Sequence, residues 1–212
     1  MNNRMRLLLI GLGALVVIAT FTYPVWRPLI VDPVAEDRFP GLSAEEQEAF
    51  AALPANQQAA FDALMATADA TMVVAIAQAA LQPDQVVPTA EQAMPQMTDP
   101  TVIRTGTFTE IDPVFRGEGT ATMYQLADGS RILRFEEFRV TNGPNLHVLL
   151  TRRPAPRTAE EVGTDYIELG ALKGNVGDQN YAVPSEVDLG QYRGVVIYSI
   201  PFEVVFSTAE LR

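Results

Sequence analysis

Thr120-Ala121-Thr122-Met123-Tyr124-Gln125-Leu126, then Asp128-Gly129, then Arg131-Ile132-Leu133-Arg134-Phe135 is the stretch that decides the fold class. Two short alternating runs flank Asp-Gly, the residue pair that tight hairpins prefer because glycine takes a positive φ without steric cost. The same signature repeats outward from this hairpin. Asn142-Gly143-Pro144 turns the chain into Leu146-His147-Val148-Leu149-Leu150. Gly170, Gly174 and Gly177 punctuate a loop-rich stretch before Tyr181-Ala182-Val183. Val195-Val196-Ile197-Tyr198-Ser199-Ile200 and Phe202-Glu203-Val204-Val205-Phe206 then read as two strands bent at Pro201. No helix-period segment of useful length interrupts them. Roughly seven or eight short strands in this half predict a mainly β fold, a single antiparallel β-sandwich of jelly-roll or Ig-like type.

The first half reads differently. Arg4 and Arg6 precede Leu7 to Trp26, an uncharged apolar stretch. About 20 such residues cross a hydrocarbon core as a helix. Tyr23 and Trp26 stand at its far end, where amphipathic rings favour the headgroup layer. The positive-inside bias predicts a single-pass membrane protein with a cytoplasmic N-terminus, residues 1–6, and a transmembrane signal-anchor, 7–26. Everything after it is then extracytoplasmic, in the periplasm or outside the cell. A cleaved signal peptide would need a small-x-small site, and Ile18 to Pro24 offers no good one. Ser43-Ala44-Glu45-Glu46 opens a helical pattern, Pro54 breaks it, and Ala60, Phe61, Leu64 and Met65 share the face of a second helix. A third segment runs from Thr71 to Leu81. Residues 27–82 thus predict a helical stalk. Residues 83–103, with Pro83, Pro88, Pro95 and Pro100, predict an extended linker. Met72, Met94 and Met97 lack a Met-x-x-Met run and read as ordinary residues rather than a copper site.

Composition excludes several chemistries. The 212-residue chain has no cysteine, so disulfides, thiolate metal sites, covalent haem and a cysteine nucleophile are all ruled out. Its one histidine, His147, rules out a multi-histidine metal site within one chain. The net charge of −11 is uneven: residues 1–27 carry three arginines and no acid, and residues 28–103 carry Arg38 against eleven acids. An acidic ectodomain is repelled by phosphate backbones, so nucleic acid is not an expected partner. No Gly-x-Ser-x-Gly surrounds Ser130 or Ser199, and no Asp-x-Asp-x-Asp-Gly calcium loop occurs. Glu136-Glu137 and Glu160-Glu161 are adjacent pairs. On a strand such neighbours face opposite ways unless a bulge intervenes. The chain is not expected to be an enzyme.

Further motifs occur in order: Gly106-Thr107-Phe108, Gly117-Glu118-Gly119-Thr120-Ala121, Asn142-Gly143-Pro144-Asn145-Leu146-His147-Val148, then Leu169 through Tyr181. Val183-Pro184, Tyr192, Val195 through Phe202 and Phe206 complete the set. Together they resemble the DM-thirteen domain, a Skeletor/DOMON-associated extracellular β module, over residues 104–212. The resemblance implies a small secreted β-sandwich without known enzymatic activity. It also implies a suggested redox or electron-transfer role, tied in part to a cysteine near the domain's C-terminus. Ser199 stands at that position here, and a hydroxyl cannot shuttle electrons or ligate iron as a thiolate does.

The candidate binding residues are His147, Lys173, Asn180, Tyr181, Tyr198 and Ser199. His147 reads either as an axial haem ligand or pH-sensitive contact or, more plainly, as a strand histidine. Ser199 shares a face with Val195 and Ile197, where a buried hydroxyl finds a backbone carbonyl. Lys173 through Tyr181 is either a recognition loop or a set of glycine turns. The functional expectation is a membrane-anchored, non-catalytic binding or assembly module. Its partners would be membrane lipid through the N-terminal helix and a protein or glycan. No metal and no cofactor are expected. The alternative is an electron-transfer protein with a non-covalent haem or another redox group.

Overall fold

The computed structural model describes Met5, Thr20, Thr22 and residues 38–94 and 100–212. The chain divides into two compact units, Met1–Arg38 and Phe39–Arg212. The helices from Ala44 onward and the strands all lie in the second unit.

Its helices form where capping and apolar spacing allow. α1 (Ala44–Ala51) starts at a capping box: Glu46 N–H donates to Ser43 Oγ, and Ser43 N–H donates to Glu46 Oε2 at 2.7 Å. α2 (Ala55–Thr67) begins directly after Pro54, which suits a helix start because its fixed φ needs no N–H partner. α3 (Ala70–Ala80) is capped by Asp69, whose Oδ1 accepts from Met72 N–H at 3.0 Å. Phe39, Phe50 and Phe61 pack ring on ring at 4.6 to 5.9 Å and are buried with Val73, Ile76 and Ala77. Short turns α4 (Thr89–Gln92) and α5 (Ala159–Val162) complete the set.

Eight strands are described: β1 (Thr101–Glu110), β2 (Gly117–Gln125), β3 (Arg131–Val140), β4 (Leu146–Thr151), β5 (Tyr166–Ala171), β6 (Gln179–Val183), β7 (Gly194–Ser199) and β8 (Val204–Glu210). They make one sheet in the order β5-β4-β7-β8-β1-β2-β3-β6. Every named pair is antiparallel. The hairpin at Asp128-Gly129 is present, with a wider turn than the two-residue form. Leu126 N–H donates to Ser130 O at 2.9 Å, and Gly129 takes φ +84°.

The expected sandwich is corrected to a nearly closed eight-stranded barrel. A sandwich needs two separate sheets, but β1 belongs to both faces. Its first part pairs with β2 from Thr101 to Thr107, and Phe108 to Glu110 pair with β8. The strand changes partner beside Gly106, where an added Cβ would collide with Glu210 O. Bulges bend the sheet further, because an extra residue on one strand adds twist and curvature. One sets Gly119, at φ +102°, against Glu137 and Phe138, with Glu137 itself at φ +52°. Others break register in β1–β2, β4–β5 and β7–β8. Eight strands leave an interior that side chains just fill. Phe108, Phe135, Phe138, Met123, Leu133, Val148, Ile197 and Phe206 fill it here, all buried. The end strands β5 and β6 are consecutive in sequence, and side chains carry the seam near them: Lys173 N–H donates to Gln179 Oε1 at 3.2 Å, and Gln179 Nε2 to Gly174 O at 2.7 Å.

The transmembrane reading is also corrected. The expected span, residues 7–26, lies outside the described residues except for Thr20 and Thr22. Among the described residues no helix is long and apolar enough to cross a membrane. The longest, α2, has 13 residues, against the roughly 20 that a bilayer core demands. The single-pass signal-anchor, the lipid partner and the cytoplasmic/extracytoplasmic topology drawn from it therefore have no described helix to carry them.

The segment after α3 is tied to the barrel. Asn175, 3% exposed, accepts from Gln85 N–H at 2.6 Å, and its amide donates to Asp84 Oδ1 at 2.8 Å and Val140 O at 3.2 Å. Val87 N–H donates to Val176 O at 2.9 Å. Asn175 first and Arg139 second hold the Asp84 carboxyl below its ordinary value of 3.8. A depressed carboxylate contributes stability above the ordinary value and loses it as pH falls through the lower folded value. Below about pH 3.8 the Gln85 and Val87 amide resonances are expected to move toward unstructured positions before those of β4. Asp84→Asn should produce the same movement at neutral pH. If all amides move together in acid, this strap is not an independent attachment.

Candidate functional site

The six residues singled out in the sequence fall into three places. Lys173, Asn180 and Tyr181 gather on the β5–β6 side. The Tyr181 hydroxyl donates to Gln179 Oε1 at 2.6 Å and accepts from Lys173 N–H at 3.1 Å. The Lys173 ammonium stands 5.6 Å over the Tyr181 ring and 3.4 Å from Glu91. The Asn180 amide donates to Glu91 O and Ala93 O, and its oxygen accepts from Arg134 at 3.0 Å. Arg134, buried on β3, also pairs with Asp178 at 2.8 Å and Glu136 at 3.0 Å. Burial pushes the Tyr181 phenol well above its usual range.

His147 and Tyr198 are cross-strand partners on the outer face of β4 and β7. His147 Nδ1 lies 2.6 Å from Glu168 Oε1 and Nε2 lies 3.3 Å from Asn145 Oδ1. Ser199, opposite Leu146, is fully buried, and its hydroxyl donates to Pro144 O at 2.7 Å. Its hydrogen bond holds the Asn142–Asn145 turn against the end of β7.

A haem does not fit these residues. Iron ligation needs a free imidazole lone pair and an apolar slot for the macrocycle. The barrel interior is filled by phenylalanines, which leaves no such slot beside His147. Among the described residues no group of three or more His, Cys, Asp or Glu could hold a metal ion.

At the other end of β7 lies a cluster that local sequence patterns do not reveal. The Tyr192 hydroxyl donates to Asp165 Oδ1 at 2.8 Å. Arg152 Nε pairs with Asp165 Oδ2 at 2.5 Å, and its guanidinium stands 5.0 Å over the Tyr192 ring. Arg152 also donates to Gln191. Three separate connections converge here: the residue after β4, the residue before β5 and the approach to β7. The hydrogen bond to Asp165 raises the Tyr192 phenol above its usual range, helped by burial. The same bond, then Arg152, holds the Asp165 carboxyl low. Tyr192 is 7% exposed, while the Asp165 side chain is mostly open to solvent. Asp165 and Tyr192 are 27 positions apart, so only antiparallel pairing of β4 with both β5 and β7 brings them together.

The two buried phenols differ in what happens to their protons. A tyrosine that loses an electron becomes strongly acidic and must hand its proton to a neighbour. Tyr181 faces an amide oxygen, a negligible base. Tyr192 faces a carboxylate, which takes a proton and can release it to water.

A family model described as "Electron transfer DM13" matches residues 107–211. No curated protein matches the chain, and no solved structure does. The match corrects the expectation of a membrane-anchored, non-catalytic binding or assembly module: the family description is one of electron transfer, which the sequence reading held as its alternative.

Proposed function

Residues 107–211 belong to the DM13 family, and from that premise we propose that this barrel serves in electron transfer. The family match is the observation that carries the reading. The chain has no thiol to act as carrier. Tyr192 with Asp165 is the pair whose geometry supports a one-electron step. Tyr192 gives one electron to a strong one-electron oxidant on a partner protein, and its phenolic proton passes to Asp165. The products are a neutral tyrosyl radical and a protonated Asp165. Return of the electron and the proton restores both groups. The role of Arg152 is to position the carboxylate. Enzymatic turnover is not part of this proposal.

The test is photo-oxidation of the full chain by a ruthenium polypyridyl sensitiser with a sacrificial acceptor. The expected result is an organic-radical EPR signal that Tyr192→Phe abolishes and Tyr181→Phe leaves in place. Asp165→Asn should slow radical formation by about tenfold or more, since general-base assistance to proton transfer is worth roughly 10². A signal unchanged by Tyr192→Phe would sink the assignment to Tyr192. The visible spectrum of protein produced with haem supply bears separately on the carrier. A stoichiometric Soret band lost on His147→Ala would replace the tyrosine with a haem and keep electron transfer.

A further inference from the structure

The charges of the barrel are not spread evenly around it. Residues 104–212 carry eleven basic and fifteen acidic side chains. Five of the basic ones come to one edge, where the neighbouring strands β4, β7, β8 and β1 run side by side. Arg193 N–H donates to Thr151 O at 3.0 Å, Leu211 N–H to Arg193 O at 2.8 Å, and Arg212 N–H to Thr105 O at 2.9 Å. These bonds set Arg152 and Arg153 after β4, Arg193 before β7, Arg212 after β8 and Arg104 on β1 in one row. Adjacent strands lie about 4.8 Å apart, so the row is roughly 15 Å wide. Tyr192 sits inside it: Arg152 covers its ring, and Arg104 donates to its carbonyl oxygen at 3.5 Å.

Four acids stand among these arginines: Glu161, Asp165, Asp188 and Glu210. Two of them are better covered than the cations they meet. The side chains of Glu161 and Glu210 are 27% and 28% exposed, against 58% for Arg153, 46% for Arg193 and 77% for Arg212. Glu210 serves both Arg193 and Arg212. Guanidiniums therefore form much of the outer layer of this edge. The rest of residues 104–212 is left with six basic and eleven acidic side chains, and residues 28–103 add Arg38 against eleven acids. That acidic remainder is screened beyond a Debye length of about 8 Å, so a surface brought against this edge responds to the arginine row.

We propose that this edge is the docking face for an acidic protein, whose carboxylates pair with Arg153, Arg193 and Arg212 around Tyr192. That the partner carries the one-electron oxidant rests on the electron-transfer reading, whereas the docking face rests on the arginine row alone. A protein places single carboxylates opposite single guanidiniums, which accept them in bidentate fashion. A nucleic acid suits the edge less well. Its phosphates are continuous, and the interspersed carboxylates and the net charge of −11 oppose them.

The experiment is an NMR titration of the full chain with hexaglutamate, alongside hexalysine and a thymidine oligonucleotide of similar charge. Hexaglutamate is expected to shift resonances of residues 152–153, 192–193 and 210–212 saturably, and hexalysine to leave them in place. Raising the salt from about 0.05 M to about 0.5 M should abolish the shifts. Arg193→Glu combined with Arg212→Glu should weaken binding about tenfold. Should that reversal disturb folding, Arg193→Gln with Arg212→Gln tests the same point and is expected to cost about threefold. Absence of saturable shifts with hexaglutamate, or shifts spread evenly over the barrel, would overturn the docking face. Tighter binding of the oligonucleotide would overturn the protein partner. Self-association of the chain that the double reversal abolishes would replace an outside partner with a second copy. The Tyr192 radical signal is read separately. Its absence with hexaglutamate binding intact removes the tyrosine and keeps the face, and its presence without binding does the reverse.

Discussion

Phe135→Ala is expected to lower the unfolding free energy by about 4 kcal/mol. Phe135 is fully buried at the centre of β3. Its ring stands 4.9 Å from Phe108, 4.9 Å from Phe138 and 5.3 Å from Tyr181. Truncation removes the transfer free energy of a whole ring and leaves a void. Neighbouring strands cannot collapse into that void easily, because β3 is laddered to β2 on one side and β6 on the other. Packed interiors transmit such losses because they hold few voids to begin with. Phe135→Leu keeps most of the volume and should cost about 1 to 2 kcal/mol. Urea unfolding with an unchanged slope is the measurement. A cost below about 1 kcal/mol for Phe135→Ala would mean that the barrel interior is not a continuous core.

Gly119→Ala is expected to cost on the order of 3 kcal/mol. The position combines two obstacles. Its φ of +102° lies where L side chains rarely go. An added Cβ would lie 2.7 Å from the carbonyl oxygens of Glu136 and Glu137 and 2.8 Å from Phe138 Cα. All three atoms are backbone, so no rotamer change relieves the contact. Gly129→Ala separates the two causes. Gly129 has φ +84° with nothing within 4 Å of an added Cβ, so only the left-handed backbone penalty of about 1 kcal/mol applies. The difference between the two variants in the same denaturation experiment measures the close packing at the bulge. Equal costs would remove the bulge from the account of how the sheet curls.

Much of the fold was legible in the sequence, and the illegible part has a physical cause. Period-two alternation and turn chemistry mark strands because they are local properties of a half-buried ribbon. The Asp128-Gly129 hairpin and the run at Val195 stand out on that basis and form β2–β3 and β7, whereas the run from Phe202 to Phe206 covers only the first three residues of β8. Strand curvature is less local. The bulge at Gly119 is defined by the count of residues on β3, and Gly106 matters because β8 returns beside it about a hundred residues later. Neither fact is present in the short runs that identify the strands. A sandwich and a closed barrel can therefore be written with the same alternation. The strap from Asp84 to Ala93 illustrates the same limit: its prolines suggest extension, while the buried side chain of Asn175, some ninety positions on, ties it down.

The candidate site divides along the same line. Ser199 could be placed on the inner face by counting from Val195, and its hydroxyl does meet a backbone carbonyl. The pairing of Tyr192 with Asp165 has no counterpart in any contiguous motif. The sequence by itself determined which chemistries the chain lacks, because no thiol and only one imidazole are available wherever the chain goes. It also determined the strand-rich second half, because alternation and turn residues act over a few positions. Tertiary structure alone decided that the sheet closes on itself and which phenol meets a carboxylate. Those outcomes depend on register between strands far apart in sequence, and a shift of one residue would turn each of these side chains to the other face of the sheet.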